Sequence, residues 1–358
     1  MGWRVHGVVY MLLALVVAAA CGSGPSRVGA ITPTPAQAVV FDDHFGVLVG
    51  NTVRREGGPE SLFVLGIASD SGGVVSPDGR RLAYWANSDL RVIDVAPGAQ
   101  PRTLLAIADD EGALYFAWST DGTGLVVGVS GGGGGFADAP PGYTALRVVD
   151  VAGGTPREIA RIRNANVVPL AWDRQARLIA AYEPTSAGTY RYDVVSESGS
   201  VKQTTPQSTL YFLEASHDAQ QVLGRIDLPT SAVRVWPVGS YELGADLPVP
   251  AGQNVLAVAW RPGKAEIGVL FTDRLELWDA SGARRTFALP PAPPSSDRYT
   301  SLVFRADGKA ALVGRQLNTS TETFDTYTVA IDLASGRNTV VQWPGPASEP
   351  GRSVRLGP

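Results

Sequence analysis

The sequence is poor in the residues on which chemistry most often depends, with one cysteine, three histidines and two methionines in 358 residues. A single cysteine forms no internal disulfide, so the fold must be held by its packed core alone. Lysine occurs only at Lys202, Lys264 and Lys309, the other basic residues are scattered arginines, and the net charge is −4. That pattern excludes a basic footprint for nucleic acid. Charged residues make up 18% of the chain, below the ~25% of an average soluble protein. They do not fall into i, i+4 pairs, which excludes a coiled coil or a long-helix protein. Gly (41) and Pro (26) together stay under the roughly 25–30% that marks low-complexity disorder, and 44% apolar residues suffice for a core.

What is present begins with a targeting signal. Residues 1–20 have a short basic start at Arg4, an apolar stretch from Val8 to Val17, and Ala18-Ala19-Ala20 before Cys21. The apolar run falls short of the ~20 residues a membrane-spanning helix needs, and its parts are those of a cleaved export signal. With the only cysteine of the chain immediately after it, the segment resembles a bacterial lipoprotein signal. That resemblance implies a lipidated Cys21 as first mature residue and a domain on the extracytoplasmic face of a bacterial membrane. Ala18 stands where the family usually has leucine. Residues 21–37 are rich in Gly, Pro, Ser and Thr without periodicity and read as a flexible tether, leaving 38–358 as one domain.

That domain is a repeat. VSPDGRRLAY at Val75, WSTDGTGLVVG at Trp118, WDRQARLIAAY at Trp172, ASHDAQQVLG at Ala215, WRPGKAEIGVL at Trp260 and FRADGKAALVG at Phe304 follow one another at 43, 54, 43, 45 and 44 residues. A period near 44 is that of a four-stranded propeller blade, and the long interval contains the glycine-rich stretch 130–144. Each copy runs apolar strand, Asp/Gly turn, short apolar strand, loop, then a strand such as LRVIDV at 90 or LELWDA at 275. Period-2 patterning with regular turns and no helical stretch predicts an all-β chain. Val47–Gly50 and Ser61–Gly66 read as middle strands of an incomplete unit, and Ser353–Leu356 as a single strand. Joining the chain ends in one blade closes the ring without an open edge, so seven blades are expected, with six as the alternative.

The S-P-D-G turn at Ser76–Gly79, its relatives at Ser119–Gly122 and Arg305–Gly308, the preceding Trp118, Trp172 and Trp260, and the Trp278-Asp279 dipeptide resemble the repeat of TolB-like propellers, relatives of the WD repeat. The resemblance covers roughly residues 38–358 and implies the fold. It implies little about function, because such blades serve scaffolds and enzymes alike. The Tol-system protein carries an additional N-terminal α/β domain that this pattern does not show, so its role is not carried over.

Catalytic patterns are weak. Gly128-Val129-Ser130-Gly131-Gly132 matches G-x-S-x-G, but a nucleophile elbow leads from strand to helix, and here three more glycines follow. No Lys-Ser/Thr follows the glycines, so a phosphate loop is not expected. After signal removal only His44 and His217 remain, which argues against zinc and against an activated serine; no cofactor, metal or catalytic residue is assigned. Asp78, Asp121 and Asp307 read as turn formers, and the strand-end tryptophans as packing between blades. Extra length gathers in the second-to-third-strand loops and the blade connections, which share one face. On that face Phe136, Tyr143, Asp109, Asp110, Glu111, Asp297 and Phe324 are the candidate contacts. The expectation is a monomeric, lipid-anchored binding or scaffolding module of the cell envelope without catalysis, its partner a protein or else a glycan. The alternative is a propeller enzyme of lactonase, lyase or glycosidase type working at the central channel.

Overall fold

The computed structural model describes residues 45–49, 51–55, 61–67, 73–132, 142–184, 190–204, 210–216, 218–226, 231–290, 298–319, 323–342 and 352–356. They form seven four-stranded antiparallel sheets arranged as the blades of a seven-bladed β-propeller. Blades 2 to 7 each use four consecutive strands. Their inner strands are Gly73–Val75, Glu111–Trp118, Val168–Asp173, Leu210–Ala215, Ala257–Trp260 and Arg298–Phe304. Blade 1 closes the ring from both ends of the chain: Arg352–Arg355 is its inner strand, followed outward by Phe45–Val49, Thr52–Arg55 and Ser61–Val64. Ser61–Val64 is therefore an outer strand rather than a middle one. The middle position belongs to Thr52–Arg55, whose two arginines mask its strand character in the sequence.

The turn after each inner strand explains why the repeat is legible. In blade 2 the Ser76 hydroxyl donates to Asp78 Oδ1 at 2.5 Å and accepts from the Arg81 amide at 3.0 Å, while Gly79 sits at φ +77°. Ser119 and Asp121 repeat these bonds in blade 3, and Ser216 and Asp218 in blade 5. Aspartate satisfies turn amides and glycine takes the left-handed position without strain. Blade 7 replaces the serine with Arg305, whose guanidinium holds Asp307 through two bonds and lies 4.7 Å over the Phe45 ring of blade 1. The ring is closed there by a contact no other turn makes among the described residues.

Six apolar layers, each shared by two successive blades, supply the core among the described residues. Full burial of each large side chain contributes roughly 1.5–3 kcal/mol. The strand-end tryptophans belong to these layers, and two of them also latch inner strands together. Trp118 Nε1–H donates to the Val74 carbonyl at 2.9 Å, and Trp260 Nε1–H to the Glu214 carbonyl at 3.3 Å, each reaching the preceding blade.

Two seams between blades also bury charge. At the seam of blades 2 and 3, Arg147 grips Glu111 with Nη1–Oε2 at 2.8 Å and Nη2–Oε1 at 2.5 Å. At the seam of blades 3 and 4, Arg191 pairs with Glu183, and Asp193, fully buried, lies 3.6 Å from Arg191 Nε. Among the described residues, neither Asp193 oxygen nor Glu183 Oε1 accepts a hydrogen bond.

Candidate binding site at the central channel

The inner strands of blades 2, 3, 4, 5 and 7 line an open cavity of about 470 Å3 around the propeller axis. It extends from Val168, at the start of the blade 4 inner strand, to Ser76, Thr120, Ser216 and Ala306 in the turns that follow the inner strands. Its geometry comes from a recurring irregularity. The pairing of inner and second strands shifts register at Ala113/Phe116, Pro169/Ala171, Tyr211/Leu213 and Tyr299/Ser301. A bulge of this kind bends a strand and re-aims the side chains it carries. In blade 3 it contains Leu114 and Tyr115. The Leu114 carbonyl accepts from Trp85 Nε1–H at 3.2 Å, and Tyr115 is left 50% exposed on the channel. Val74 beside it is 44% exposed.

The lining is mainly apolar and aromatic, with Tyr115, Phe116, Trp118, Leu170, Tyr182 and Phe304 among its larger side chains. Among the described residues, one carboxyl, Glu214, interrupts it, and no lining residue carries a basic group. Glu214 Oε1 accepts only a long bond from the Trp260 amide, at 3.4 Å. Burial pushes the Glu214 carboxyl up to about 8, a shift the Trp260 amide only partly offsets, so the group is protonated at neutral pH. The site therefore presents a neutral acid in an apolar, aromatic surrounding, able to donate one hydrogen bond or to become a carboxylate if a cation arrives.

The residues expected from the sequence lie elsewhere. Cys21, Phe136 and Asp297 fall outside the described residues, as do His44 and His217. Phe324 lies on the third strand of blade 7, Thr323–Asp332, opposite Asn318. Asp109 and Asp110 are exposed in the connection from blade 2 to blade 3. Glu111 and Tyr143 come together at the loop-side end of blade 3, both paired to Gly131, with the Tyr143 hydroxyl 3.4 Å from Glu111 Oε1. Hydrogen bonds from Arg147 hold the Glu111 carboxyl below its ordinary range, and its side chain is 7% exposed. Of the seven contacts expected on this face, Asp109 and Asp110 are thus the described ones that stand free in solvent. Ser130 lies on the second strand of blade 3 and donates to the Gly112 carbonyl at 3.3 Å. No three His, Cys, Asp or Glu side chains gather into a metal-binding cluster among the described residues. Glu214 was missed, although it is the only charged residue between Leu210 and Ser216, and a lone acid in so apolar an inner strand is a readable signal.

Comparison with known proteins places the fold. No family model matches the sequence, and no curated protein does. Among solved structures, a chain of the mitotic checkpoint complex matches at TM-score 0.51 and 16% identity, covering 80% of this chain and 90% of that one. One of two prolyl endopeptidases described together matches at TM-score 0.58 and 13% identity, over 89% of this chain and 50% of its own length. TolB from Acinetobacter baumannii matches at TM-score 0.46 and 14% identity, over 79% of this chain and 64% of its own. At these identities the two matches above a TM-score of 0.5 support the propeller fold read from the turns, and nothing beyond it.

Proposed function

We propose that this chain is a binding or scaffolding module of the bacterial cell envelope, held on the extracytoplasmic face of a membrane by lipid on Cys21, with no catalytic step of its own. A protein, or less readily a glycan, docks over the loop face around Asp109 and Asp110 and projects a group into the central channel. The observation that carries this reading is the lining of that channel. Val74 and Tyr115 keep large apolar surfaces accessible there, and an exposed apolar concavity with a single polar anchor is the usual composition of a binding site.

The test combines intact mass and membrane partitioning, for the chain and for Cys21→Ser, with photocrosslinking from position 115 or 110 in intact cells. Lipid mass on residue 21, loss of membrane association in the variant, and one dominant adduct from both positions are expected. An unmodified, soluble chain overturns the anchor, and absence of any adduct overturns the module. One observation favours the enzyme reading: Glu214, whose surroundings keep its carboxyl protonated on a cavity wall, is poised as a general acid. Under that reading Glu214→Gln abolishes turnover of an ester or glycoside substrate, whereas under the binding reading no turnover exists to lose.

A further inference from the structure

No counter-ion stands beside Glu214 among the described residues. The ionisable groups on the channel wall are Glu214, Tyr115 and Tyr182, and the wall holds no lysine, arginine or histidine among the described residues. The one hydrogen bond the Glu214 side chain accepts among the described residues, from the Trp260 amide, is at the limit of useful length. Two buried carboxyls elsewhere in this molecule are handled differently: Glu111 has a two-pronged arginine, and Glu276 accepts from Arg274 Nε at 2.6 Å and from Trp278 Nε1–H at 2.7 Å. One carboxyl supplies too few oxygens for calcium, which takes six to eight. What it does match is one positive charge with its own hydrogen-bond donors, and Tyr115 and Tyr182 on the same cavity wall offer π faces that attract a cation.

We infer that the channel binds a ligand bearing a single protonated amine, its ammonium paired with Glu214 and its apolar portion lying along Tyr115, Val74 and Leu170. The inference rests on the channel being the binding site proposed above, and it specifies the group that enters. On binding, the Glu214 carboxyl transfers its proton to solvent and becomes the carboxylate partner of the ammonium. No bond to the ligand forms. Because the free protein holds that proton at neutral pH, binding is linked to its release.

Isothermal titration calorimetry with 4-phenylbutylammonium, against the neutral 4-phenylbutanol and the anionic 4-phenylbutyrate, tests this on the full chain. The ammonium is expected to bind at least about tenfold more tightly than the alcohol, and the alcohol more tightly than the carboxylate. Titrations at pH 7 in two buffers of different ionisation enthalpy should show close to one proton released for the ammonium and none for the alcohol. Ammonium affinity should rise between pH 6 and 9, where an alkylamine of pKa ~10 stays charged. That profile requires no variant. Glu214→Gln, an isostere of the protonated acid, should abolish the preference and the proton release while keeping alcohol binding. Equal affinity for ammonium and alcohol, a flat pH profile, unchanged selectivity in the variant, or no binding of any probe at millimolar concentration overturns the inference. Partner adducts from position 115 without amine selectivity would remove this inference and leave the module standing. Amine selectivity without adducts would do the reverse.

Discussion

The seam between blades 2 and 3 and the seam between blades 3 and 4 both bury carboxyls beside an arginine, and they resolve the charge in opposite ways. In the first, Glu111 receives two guanidinium bonds and a long contact from Tyr143, and its carboxyl is held low. In the second, Glu183 and Asp193 face one guanidinium between them. Burial first, and the charge of Glu183 second, push Asp193 up to about 7, against which Arg191 works only in part. Without a hydrogen-bond partner for either oxygen among the described residues, Asp193 keeps its proton in the folded chain. The lesson is stoichiometric. A buried carboxylate stays ionised where the donors match its lone pairs, and where they do not, it keeps a proton.

The largest expected effect breaks the matched seam. Arg147→Met leaves Glu111 nearly buried without its cation and should lower unfolding free energy by about 2–4 kcal/mol at pH 7, read from urea titrations. A loss below about 0.5 kcal/mol would mean that water, not Arg147, carries the charge. The second prediction separates the seams by pH. Folded Asp193 keeps its proton to about pH 7, whereas the unfolded chain releases it near 3.8, so its contribution is best at low pH and declines as pH rises through that window. Glu111 has the opposite sign: its contribution is complete above the unfolded value of 4.5 and is lost as pH falls through its lowered folded value. Asp193→Asn should therefore raise stability by on the order of 1–3 kcal/mol at pH 8 and leave it unchanged near pH 4. A gain of equal size at both pH values would sink the protonated state of folded Asp193.

These seams also mark where sequence reading stops. The turns at Asp78, Asp121 and Asp307 are legible because aspartate, glycine and the residue before them form their bonds within five positions. Closure of the ring is legible because the leftover segments at the two ends amount to one blade. Asp193 lies in the string YRYDVV, which reads correctly as a strand, but its full burial depends on blade 3 packing against it. Glu214 likewise depends on the next blade, whose Trp260 supplies both its contacts. The register shifts that expose Tyr115 arise from a partner strand and leave no local composition behind. Loop length drew attention to the face holding Glu111 and Tyr143, yet it could not reveal that Arg147, four residues beyond Tyr143, already occupies Glu111.

The smaller predictions sharpen the first seam from its aromatic side. Gly131 sits between Glu111 and Tyr143 across the sheet, and a Cβ there would lie 2.2 Å from the Tyr143 ring. Gly131→Ala should therefore displace the ring and weaken the fold by about 1–3 kcal/mol, with the loss reduced in a Tyr143→Ala background. Tyr143→Phe should be nearly silent, within about 0.5 kcal/mol, because the hydroxyl contact at 3.4 Å is long and the ring, 3.9 Å beneath the Arg161 guanidinium, is retained. That silence is useful. Tyr143 is one of the two residues of the loop face joined to the buried ion pair, so a variant that removes only its hydroxyl alters the surface offered to a partner while leaving the seam intact. Reduced crosslinking from position 110 in a Tyr143→Phe protein of unchanged urea midpoint would assign the hydroxyl to recognition. Unchanged crosslinking would assign Tyr143 to the seam, as a cover over Glu111 and Arg147 that keeps water from the pair.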